Sequence, residues 1–260
     1  MFARADELKK TIDSQRPLSE TAAKKLRDYF KIGLTYASNA LEGNSLTITE
    51  TKVLLEDGIT VGGKPIRDYY EATGHAKAYD FILEVSKTHP LMLTEDIIAR
   101  LHYLFYNAID ENLAGKYRTE QVIITGTEYL PPPPEDVPGL MAKFVDDMNR
   151  LKEKTHPIEW AALIHKYFVD IHPYIDGNGR TARLLMNLAL INAGYTVSII
   201  PPVRRGDYID ALRISQREKS PDNDPFICLI ADCLIETEKD YCRMFHIPLA
   251  KAKPEREPTR

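Results

Sequence analysis

The hydrophobic positions along the chain recur mainly at spacings of three and four, which is the period of an amphipathic helix. Such runs predict helices over residues 18–37, 47–58, 67–87, 94–108, 160–171, 180–194, 206–219 and 225–244, with a further helix starting near residue 138. Ser19 is a predicted N-cap, and Thr47 followed by Glu50 predicts a capping box. The predicted fold class is therefore mainly α, a helical bundle.

One segment departs from the helical period. Between residues 117 and 134, the stretch QVIITGTEYL places β-branched and aromatic residues on both sides of a glycine-containing turn, which predicts a short β-hairpin. The four prolines at 131–134 lack the amide donor that a central strand needs, so the chain is expected to leave this hairpin in an extended conformation.

The two most apolar predicted helices flank a loop of unusual composition. The apolar stripe of residues 160–171 runs directly into HPYIDGNGR, and the helix that follows is apolar on most faces. A loop that enters a helix N-terminus gathers free backbone amides and the positive end of the helix dipole, which together bind anions. Gly177 and Gly179 would let a phosphate approach those amides closely. The sequence therefore predicts a phosphate site here.

The charged residues of the same loop extend this prediction. Arg180 and Arg183 lie three positions apart on one helical face and can reach the same polyphosphate. Asp176 suits a Mg²⁺ ion that bridges phosphate oxygens, and His172 supplies a base that titrates near neutral pH. Each element alone is also compatible with a capping turn, a core histidine or a solvated arginine pair. Their combination within residues 172–183 favours a phosphate-transfer site.

Composition limits the partners. The 260 residues include 34 basic and 38 acidic side chains, and the net charge of -4 offers no broad attraction to nucleic acid or to an anionic membrane. No signal-peptide pattern and no apolar run of roughly 20 residues is evident, so a cytoplasmic protein is expected. The three cysteines form no CxxC pair and are expected to be reduced thiols. One domain is predicted over residues 1–250, with a disordered tail at 251–260.

Three motifs, in order along the chain, carry a family resemblance. HPYIDGNGRTAR resembles the Fic family signature HPFxxGNGRxxR, with Tyr174 in place of the phenylalanine. SNALEGN is similar to the inhibitory motif (S/T)xxxE(G/N) of that family, and GKYRTEQVIITGTEYLPPPPEDVPGLM resembles its flap region. The resemblance implies a Fic-like helical bundle with a short β-hairpin flap over the active-site loop, residues 172–183.

The resemblance also implies an activity, which is the transfer of AMP from ATP to a Ser, Thr or Tyr hydroxyl of a target protein, with the protein itself as one candidate target. His172 would be the general base, and Asp176 would bind Mg²⁺. The nucleotide-binding role would fall to the loop amides, the Asn178 side chain, the two arginines and the base pocket, namely Gly177, Asn178, Gly179, Arg180, Arg183, Tyr208 and Leu212. Gln216 stands where the family commonly has an asparagine, which leaves its contact with the base open.

The flap and the inhibitory motif have implied roles as well. The flap would align an extended segment of the target by main-chain pairing, close to Ile123, Ile124 and Gly126, although a hairpin that only covers the core is the alternative. Within the inhibitory region, about residues 18–44, Glu42 would pair with Arg183 in the place of the γ-phosphate, and Ser38 would support that pair. An ordinary exposed glutamate at a helix C-terminus is the alternative for Glu42.

Other functions remain open at this point. The same loop could use a different phosphate-containing donor, remove AMP from a modified target, or serve a catalytically silent nucleotide-binding adaptor. The complete GNGR and both arginines favour a full triphosphate. The expected partners are ATP and a target protein, without nucleic acid or membrane, and a homodimer is left open.

Overall fold

The computed structural model describes residues 1–124 and 127–249. The α-helices in these ranges are α1 (Ala3–Asp13), α2 (Glu20–Ala40), α3 (Ile48–Asp57), α4 (Ile66–Val85), α5 (Glu95–Tyr106), α6 (Val137–Leu151), α7 (Pro157–Ile171), α8 (Asn178–Asn192), α9 (Arg205–Ser215) and α10 (Asp224–Met244). Short 3-10 turns at Pro134–Asp136 and Pro202–Arg204 precede α6 and α9. The mainly helical prediction agrees with this order of elements.

The predicted helix starts are present in the structure. The Ser19 side chain accepts a hydrogen bond from the Ala22 amide at 3.3 Å, which caps α2. At α3 the capping box is complete, because the Thr47 amide donates to Glu50 at 2.7 Å and the Glu50 amide donates to Thr47 at 3.2 Å. Helix α1 is not among the predicted helices, although it packs against α10 and buries Leu8.

Helices α7 and α8 form the centre of the hydrophobic core. Trp160 of α7 is buried and donates its indole N–H to the Met148 carbonyl of α6 at 2.7 Å. Every residue of α8 from Arg180 to Leu190 is buried, as its apolar sequence predicts. Because both helices are enclosed by neighbours, the connection between them is held at two fixed ends.

The predicted β-hairpin over residues 117–134 is wrong. The flap segment, residues 118–133, contains no strand in its described parts, 118–124 and 127–133. Its two arms are joined by side chains, since Arg118 donates to the carbonyls of Glu120 and Pro132 at 3.1 and 2.5 Å, and Gln121 donates to Pro131 at 3.0 Å. The prolines offer no amide for a ladder, so side-chain donors replace main-chain pairing.

Two of the sequence predictions concern residues outside the described ranges. Gly126 of the flap and the tail at 251–260 lie outside the described residues. Cys228, Cys233 and Cys242 are free thiols, and the last two are buried. Across the described ranges, none of the helices combines the length and the apolar character needed to cross a membrane.

Candidate active site

The connection between α7 and α8, residues 172–177, begins and ends in left-handed backbone conformations. His172 caps α7 with φ 51° and ψ 59°, and its amide donates to the Phe168 carbonyl at 3.1 Å. Gly177 precedes α8 with φ 79°, and a Cβ at this position would lie 2.7 Å from the Phe105 ring. Glycine is therefore required at residue 177 for both its backbone conformation and its contact with α5.

The imidazole of His172 is fixed in one tautomer. Its Nδ1 lies 3.2 Å from the Val169 carbonyl, which can only accept, so Nδ1 carries the hydrogen and Nε2 has a free lone pair. Burial lowers the pKa of His172 and the Arg118 charge lowers it further, against the opposing effect of the Val169 carbonyl. The lowered pKa favours the neutral ring, which is the form that a general base requires.

A cavity of about 410 Å³ opens over this loop and collects most of the predicted site. Its lining includes the predicted residues Glu42, Ile123, Ile124, His172, Asp176, Gly177, Asn178, Gly179, Arg180, Tyr208 and Leu212. Arg183 is buried and contacts two members of that lining, Glu42 and Tyr208. Ile123 of the flap segment is 84% exposed, whereas Ile124 is half-buried.

The start of α8 supplies an anion cradle. The amides of Asn178, Gly179 and Arg180 belong to the first turn of the helix and have no intrahelical acceptor. The Asn178 side chain has another use, since its Oδ1 accepts from the Tyr174 amide at 2.9 Å and its Nδ2 donates to the Tyr174 carbonyl at 2.8 Å. Asn178 thus closes the loop with its side chain, which leaves its backbone amide available to an anion.

Arg180 is buried among charged and aromatic partners. Its guanidinium forms an ion pair with Glu71 of α4 at 2.9 Å and one with Asp176 at 3.2 Å, and it stacks over the Phe105 ring at 4.6 Å. The buried Nε donates to no group of the described residues. A buried donor without a partner is costly, so this nitrogen is suited to an incoming phosphate oxygen.

Asp176 is ionised and held at both oxygens. Oδ1 accepts from the Gly177 amide at 2.5 Å, and Oδ2 contacts Arg67 of α4. Burial raises the pKa of Asp176, but the charges of Arg180 and Arg67 and the Gly177 amide outweigh it and leave the pKa below its usual value. Within residues 1–124 and 127–249, no group of three His, Cys, Asp or Glu side chains is placed to hold a metal alone. A single carboxylate fits a Mg²⁺ that is held mainly by phosphate and water.

Glu42 and Ser38, at the end of α2, enclose Arg183. Arg183 Nη2 donates to Glu42 Oε1 at 2.7 Å and to the Ser38 carbonyl at 2.8 Å, while Nε donates to Ser38 Oγ at 2.9 Å. Burial opposes ionisation of Glu42, but the charges of Arg183 and Arg180 leave its pKa below the usual value. Glu42 also packs so closely on Gly179 that a Cβ there would collide with the carboxylate.

A buried chain of hydrogen bonds continues beyond Arg183. Its Nη1 donates to the Tyr208 hydroxyl at 3.2 Å, and that hydroxyl lies 3.0 Å from His165 Nε2. Because the guanidinium can only donate, the tyrosine proton is directed to His165. Burial, followed by the Arg183 charge, holds the pKa of His165 well below its ordinary value, so the ring accepts as a neutral imidazole.

Several residues that position the loop were not predicted as part of the site. His102 of α5 lies 3.0 Å from the Asp176 carbonyl through Nε2, accepts from the Gly115 amide through Nδ1 at 2.9 Å, and stacks on the Tyr174 ring at 3.7 Å. Arg118 donates from Nε to the His172 carbonyl at 2.8 Å. Arg118 stands in the flap motif, which was the one available signal, whereas His102 lies in a helix without a motif.

Comparison with known proteins identifies the family of this chain. The family model described as Fic/DOC matches residues 92–190. The curated relatives include protein adenylyltransferase Fic from Drosophila willistoni, 38% identical over 203 residues, which covers 78% of this chain and 40% of the relative. The corresponding Drosophila melanogaster protein is 37% identical over the same shares. This chain therefore spans about two fifths of the length of the curated relatives it matches.

Solved structures match over nearly the whole chain. Fic-1 from C. elegans has a TM-score of 0.82 at 28% identity, and the match covers 94% of this chain and 72% of the Fic-1 chain. A Fic domain-containing signaling protein from Bacteroides thetaiotaomicron has a TM-score of 0.85 at 30% identity, and the match covers 95% of this chain and 100% of that protein. Because both the family model and the solved structures match, this chain belongs to the Fic/DOC family.

Proposed function

We propose that this protein is an adenylyltransferase that moves AMP from ATP to a hydroxyl side chain of a target protein. One observation carries the proposal. The free Nε2 of His172, the unpaired amides at the start of α8 and the buried Arg180 meet around one cavity. The names of the curated relatives support the choice of AMP as the group transferred.

In the proposed reaction, His172 Nε2 takes the proton of the target hydroxyl, and the hydroxyl oxygen forms a bond to the α-phosphorus of ATP. The bond from that phosphorus to the bridging oxygen breaks, and pyrophosphate leaves with the electron pair. The amides of Asn178 and Gly179 hold the phosphate oxygens as charge develops, while Arg180 and Arg183 neutralise the leaving group. Tyr208 and Leu212, which line the cavity, hold the adenine ring.

A Mg²⁺ ion would be held by Asp176. When bound with ATP, it supplies positive charge to the phosphate oxygens. Asp176 is ionised in this structure, as a cation ligand must be. Arg67 would have to leave Asp176 so that one carboxylate oxygen becomes available to the ion. The side chain is 37% exposed, so a hydrated ion can reach it.

The flap segment is proposed as the docking site of the target. Ile123 is almost fully exposed beside the cavity, and Ile124 lines its wall, close to Gly126 along the chain. Because the described parts of the segment form no strand, their main-chain groups are not committed to a ladder. An extended peptide of the target could pair with them and bring its hydroxyl towards His172.

Glu42 is the proposed inhibitor of this activity. It holds the guanidinium of Arg183, which would otherwise be free to bind the end of the triphosphate, and it covers Gly179 at the anion cradle of α8.

We place the reaction in the cytoplasm. A homodimer is the proposed assembly, which sedimentation velocity would test.

ATP labelled at the α- or the γ-phosphate tests the proposal. The Glu42→Gly variant is incubated with Mg²⁺ and a cell lysate, alongside wild type and Glu42→Gly combined with His172→Ala. Protein labelled only from the α-position, and only when His172 is present, is the expected result. Glu111→Gly, an exposed glutamate in the turn after α5, serves as the matched control and should label like wild type.

The alternatives give different results in this experiment. Label from the γ-position alone would replace AMP transfer by phosphate transfer. Loss of label from a previously modified target, with no labelling of a fresh one, would indicate AMP removal. Equal, absent labelling in all folded variants that still bind ATP would indicate an adaptor.

A further inference from the structure

A second cavity, the α6 cavity, lies between the flap segment and helices α6 and α7. Its volume is about 640 Å³, and its lining includes the buried apolar side chains of Phe144, Met148 and Ile171. Tyr129 and Pro132 of the flap segment line it from the other side. A concave, mostly apolar space of this size can accept a large apolar side chain from a binding partner.

The α6 cavity and the active-site cavity share a boundary. Ile171 lines the α6 cavity, and the next residue, His172, lines the active-site cavity. The flap segment contributes Ile124 to the active-site cavity and Tyr129 to the α6 cavity, where the Tyr129 hydroxyl donates to the Asp170 carbonyl at 3.0 Å. A protein segment with its hydroxyl at His172 therefore has only to cross the flap segment to place a nearby side chain in the α6 cavity.

The rim of the α6 cavity is positively charged. Lys143, Arg150 and Lys154 are exposed and belong to its lining, together with the two carboxylates of Asp147 and Asp170. The Asp170 carboxylate is largely buried and is neutralised by a lysine of α7 at 2.7 Å. Three cations thus face one remaining carboxylate, although the whole chain has a net charge of -4.

These cations are available to a partner. Lys154 forms no ion pair with a carboxylate of the described residues. Arg150 lies 3.6 Å from Asp146, and Lys143 contacts Asp147, in pairs whose side chains are 41–72% exposed. Exposed pairs of this kind contribute little stability, so carboxylates of a partner can replace them.

We infer that the α6 cavity is a second docking site for the target protein, and that it receives a large apolar side chain flanked by acidic residues. The apolar lining buries that side chain, and the cations of the rim meet the flanking carboxylates. Residues 251–260 of this chain carry four basic and two acidic side chains, so their charge does not suit this rim. The inference rests on the proposed function, because it takes the partner to be the protein whose hydroxyl reaches His172.

Three fluorescent peptides test the inference, each with a threonine upstream of the docking motif. The first carries a phenylalanine between two pairs of glutamates, the second has lysines in place of the glutamates, and the third has serine in place of the phenylalanine. Fluorescence anisotropy with the whole chain, without ATP, measures binding in the absence of turnover. The first peptide should bind at least about tenfold more tightly than either of the others, although the net charge of the protein opposes it.

Reversal of the rim charge should reverse the preference. In the variant that combines Arg150→Glu with Lys154→Glu, the lysine peptide should bind more tightly than the glutamate peptide, because the rim then carries more negative than positive charge. Lys77→Glu combined with Lys87→Glu changes two exposed lysines that line neither cavity. This matched control should keep the order of affinities found for wild type.

A photoreactive benzophenone group in place of the phenylalanine locates the bound side chain. Mass spectrometry should find the crosslink on Leu140, Phe144 or Met148. The inference would be overturned by crosslinks confined to residues outside the α6 cavity, by the absence of peptide binding, by equal affinities for the glutamate and lysine peptides, or by an unchanged order in the reversed variant. A wild-type dimer that only the rim reversal dissociates, with no peptide bound, would instead assign the cavity to a second copy of this chain.

Peptide binding and AMP transfer are measured separately. The Glu42→Gly variant with α-labelled ATP reports whether the threonine of the bound peptide is modified. Peptide binding without label on any protein would overturn the proposed function but not the selection of acidic, apolar segments by the α6 cavity. Label on lysate proteins together with absent peptide binding would overturn only the docking site.

Discussion

Arg183 Nη2 lies 2.7 Å from Glu42 Oε1, and the same carboxylate rests on Gly179 at the first turn of α8. A nucleotide that uses Arg183 must therefore break an existing charge-assisted hydrogen bond, a contact of about 1.5–3 kcal/mol.

Glu42→Gly should accordingly raise the affinity for ATP, or the rate of self-labelling, by about 10- to 100-fold. Glu42→Gln keeps a neutral acceptor at the same place and should give a smaller increase. Calorimetry and α-label incorporation measure the two effects. A Glu42→Gly protein with the affinity and labelling rate of the Glu111→Gly control would show that the pair does not restrain the site.

The pH dependence of transfer should report the neutral His172. Burial and the Arg118 charge place its pKa below the ordinary 6.5, and only the neutral ring can take a proton. The rate should therefore reach its plateau on the alkaline side and should decline on acidification with a midpoint below 6.5. Single-turnover labelling of the Glu42→Gly protein across this range measures the profile. An acid limb centred above 6.5 would contradict the assignment of this histidine as the base.

Arg118 should prove important for both stability and the flap segment. It is 2% exposed and donates to the carbonyls of His172, Glu120 and Pro132. Arg118→Met would leave these acceptors unsatisfied and should lower the free energy of unfolding by about 2–4 kcal/mol.

Urea denaturation measures the stability of Arg118→Met, and limited proteolysis within residues 118–133 should become faster than in wild type. Lys116→Met, a change at an exposed residue two positions away, is the control. If Arg118→Met kept both the stability and the protease resistance of that control, the Arg118 side chain would not be what joins the two arms of the flap segment.

Glu238 should make the protein more stable at acidic than at alkaline pH. It is fully buried in α10, and neither carboxylate oxygen has a hydrogen-bond partner among the described residues. Burial, reinforced by Asp6, raises its pKa from 4.5 to about 8. Between these values the folded protein retains a proton that the unfolded chain releases, so the free energy of unfolding should fall as pH rises and level off above about 8.

Glu238→Gln keeps the shape and removes the titration. It should flatten this part of the pH profile and add a few kcal/mol of stability at the alkaline end. Urea denaturation at several pH values measures the effect, and Glu236→Gln, at an exposed position of the same helix, is the matched control. A profile of Glu238→Gln parallel to that of wild type would refute the prediction.

Tyr174→Phe should be neutral or stabilising by up to about 1 kcal/mol, because the buried hydroxyl has no hydrogen-bond partner within the described residues. The ring stacking on His102 at 3.7 Å would be kept, so labelling should not change. Tyr174→Leu would lose that stacking and leave a cavity, at a cost of about 2–4 kcal/mol. Thermal unfolding of both variants separates the ring from the hydroxyl.

The sequence predicted most helices and most of the residues around the cavity, because both kinds of information are local. Helical periodicity needs a window of a few turns, and HPYIDGNGRTAR keeps its functional groups within twelve positions. The hairpin was wrong for the opposite reason, since the β-branched pattern of 117–134 does not reveal that Arg118 and Gln121 supply the donors that bridge the two arms.

The contacts that position the site join distant parts of the chain. Arg67 meets Asp176, and Asp170 meets Gln216, through packing that no local pattern encodes. Asn178 illustrates a subtler limit. Its residue type suited a phosphate ligand, but only the structure shows that both ends of its side chain are bonded to Tyr174.

The ion pairs of Arg180 with Glu71 and Asp176 have a consequence for how fast the site can act. Charges that already compensate one another in the resting protein do not have to be assembled when ATP arrives. On the proposed function, a triphosphate would replace counterions that are already present at the loop. The rate of nucleotide binding should then depend on how fast Glu42 and Arg67 leave their partners.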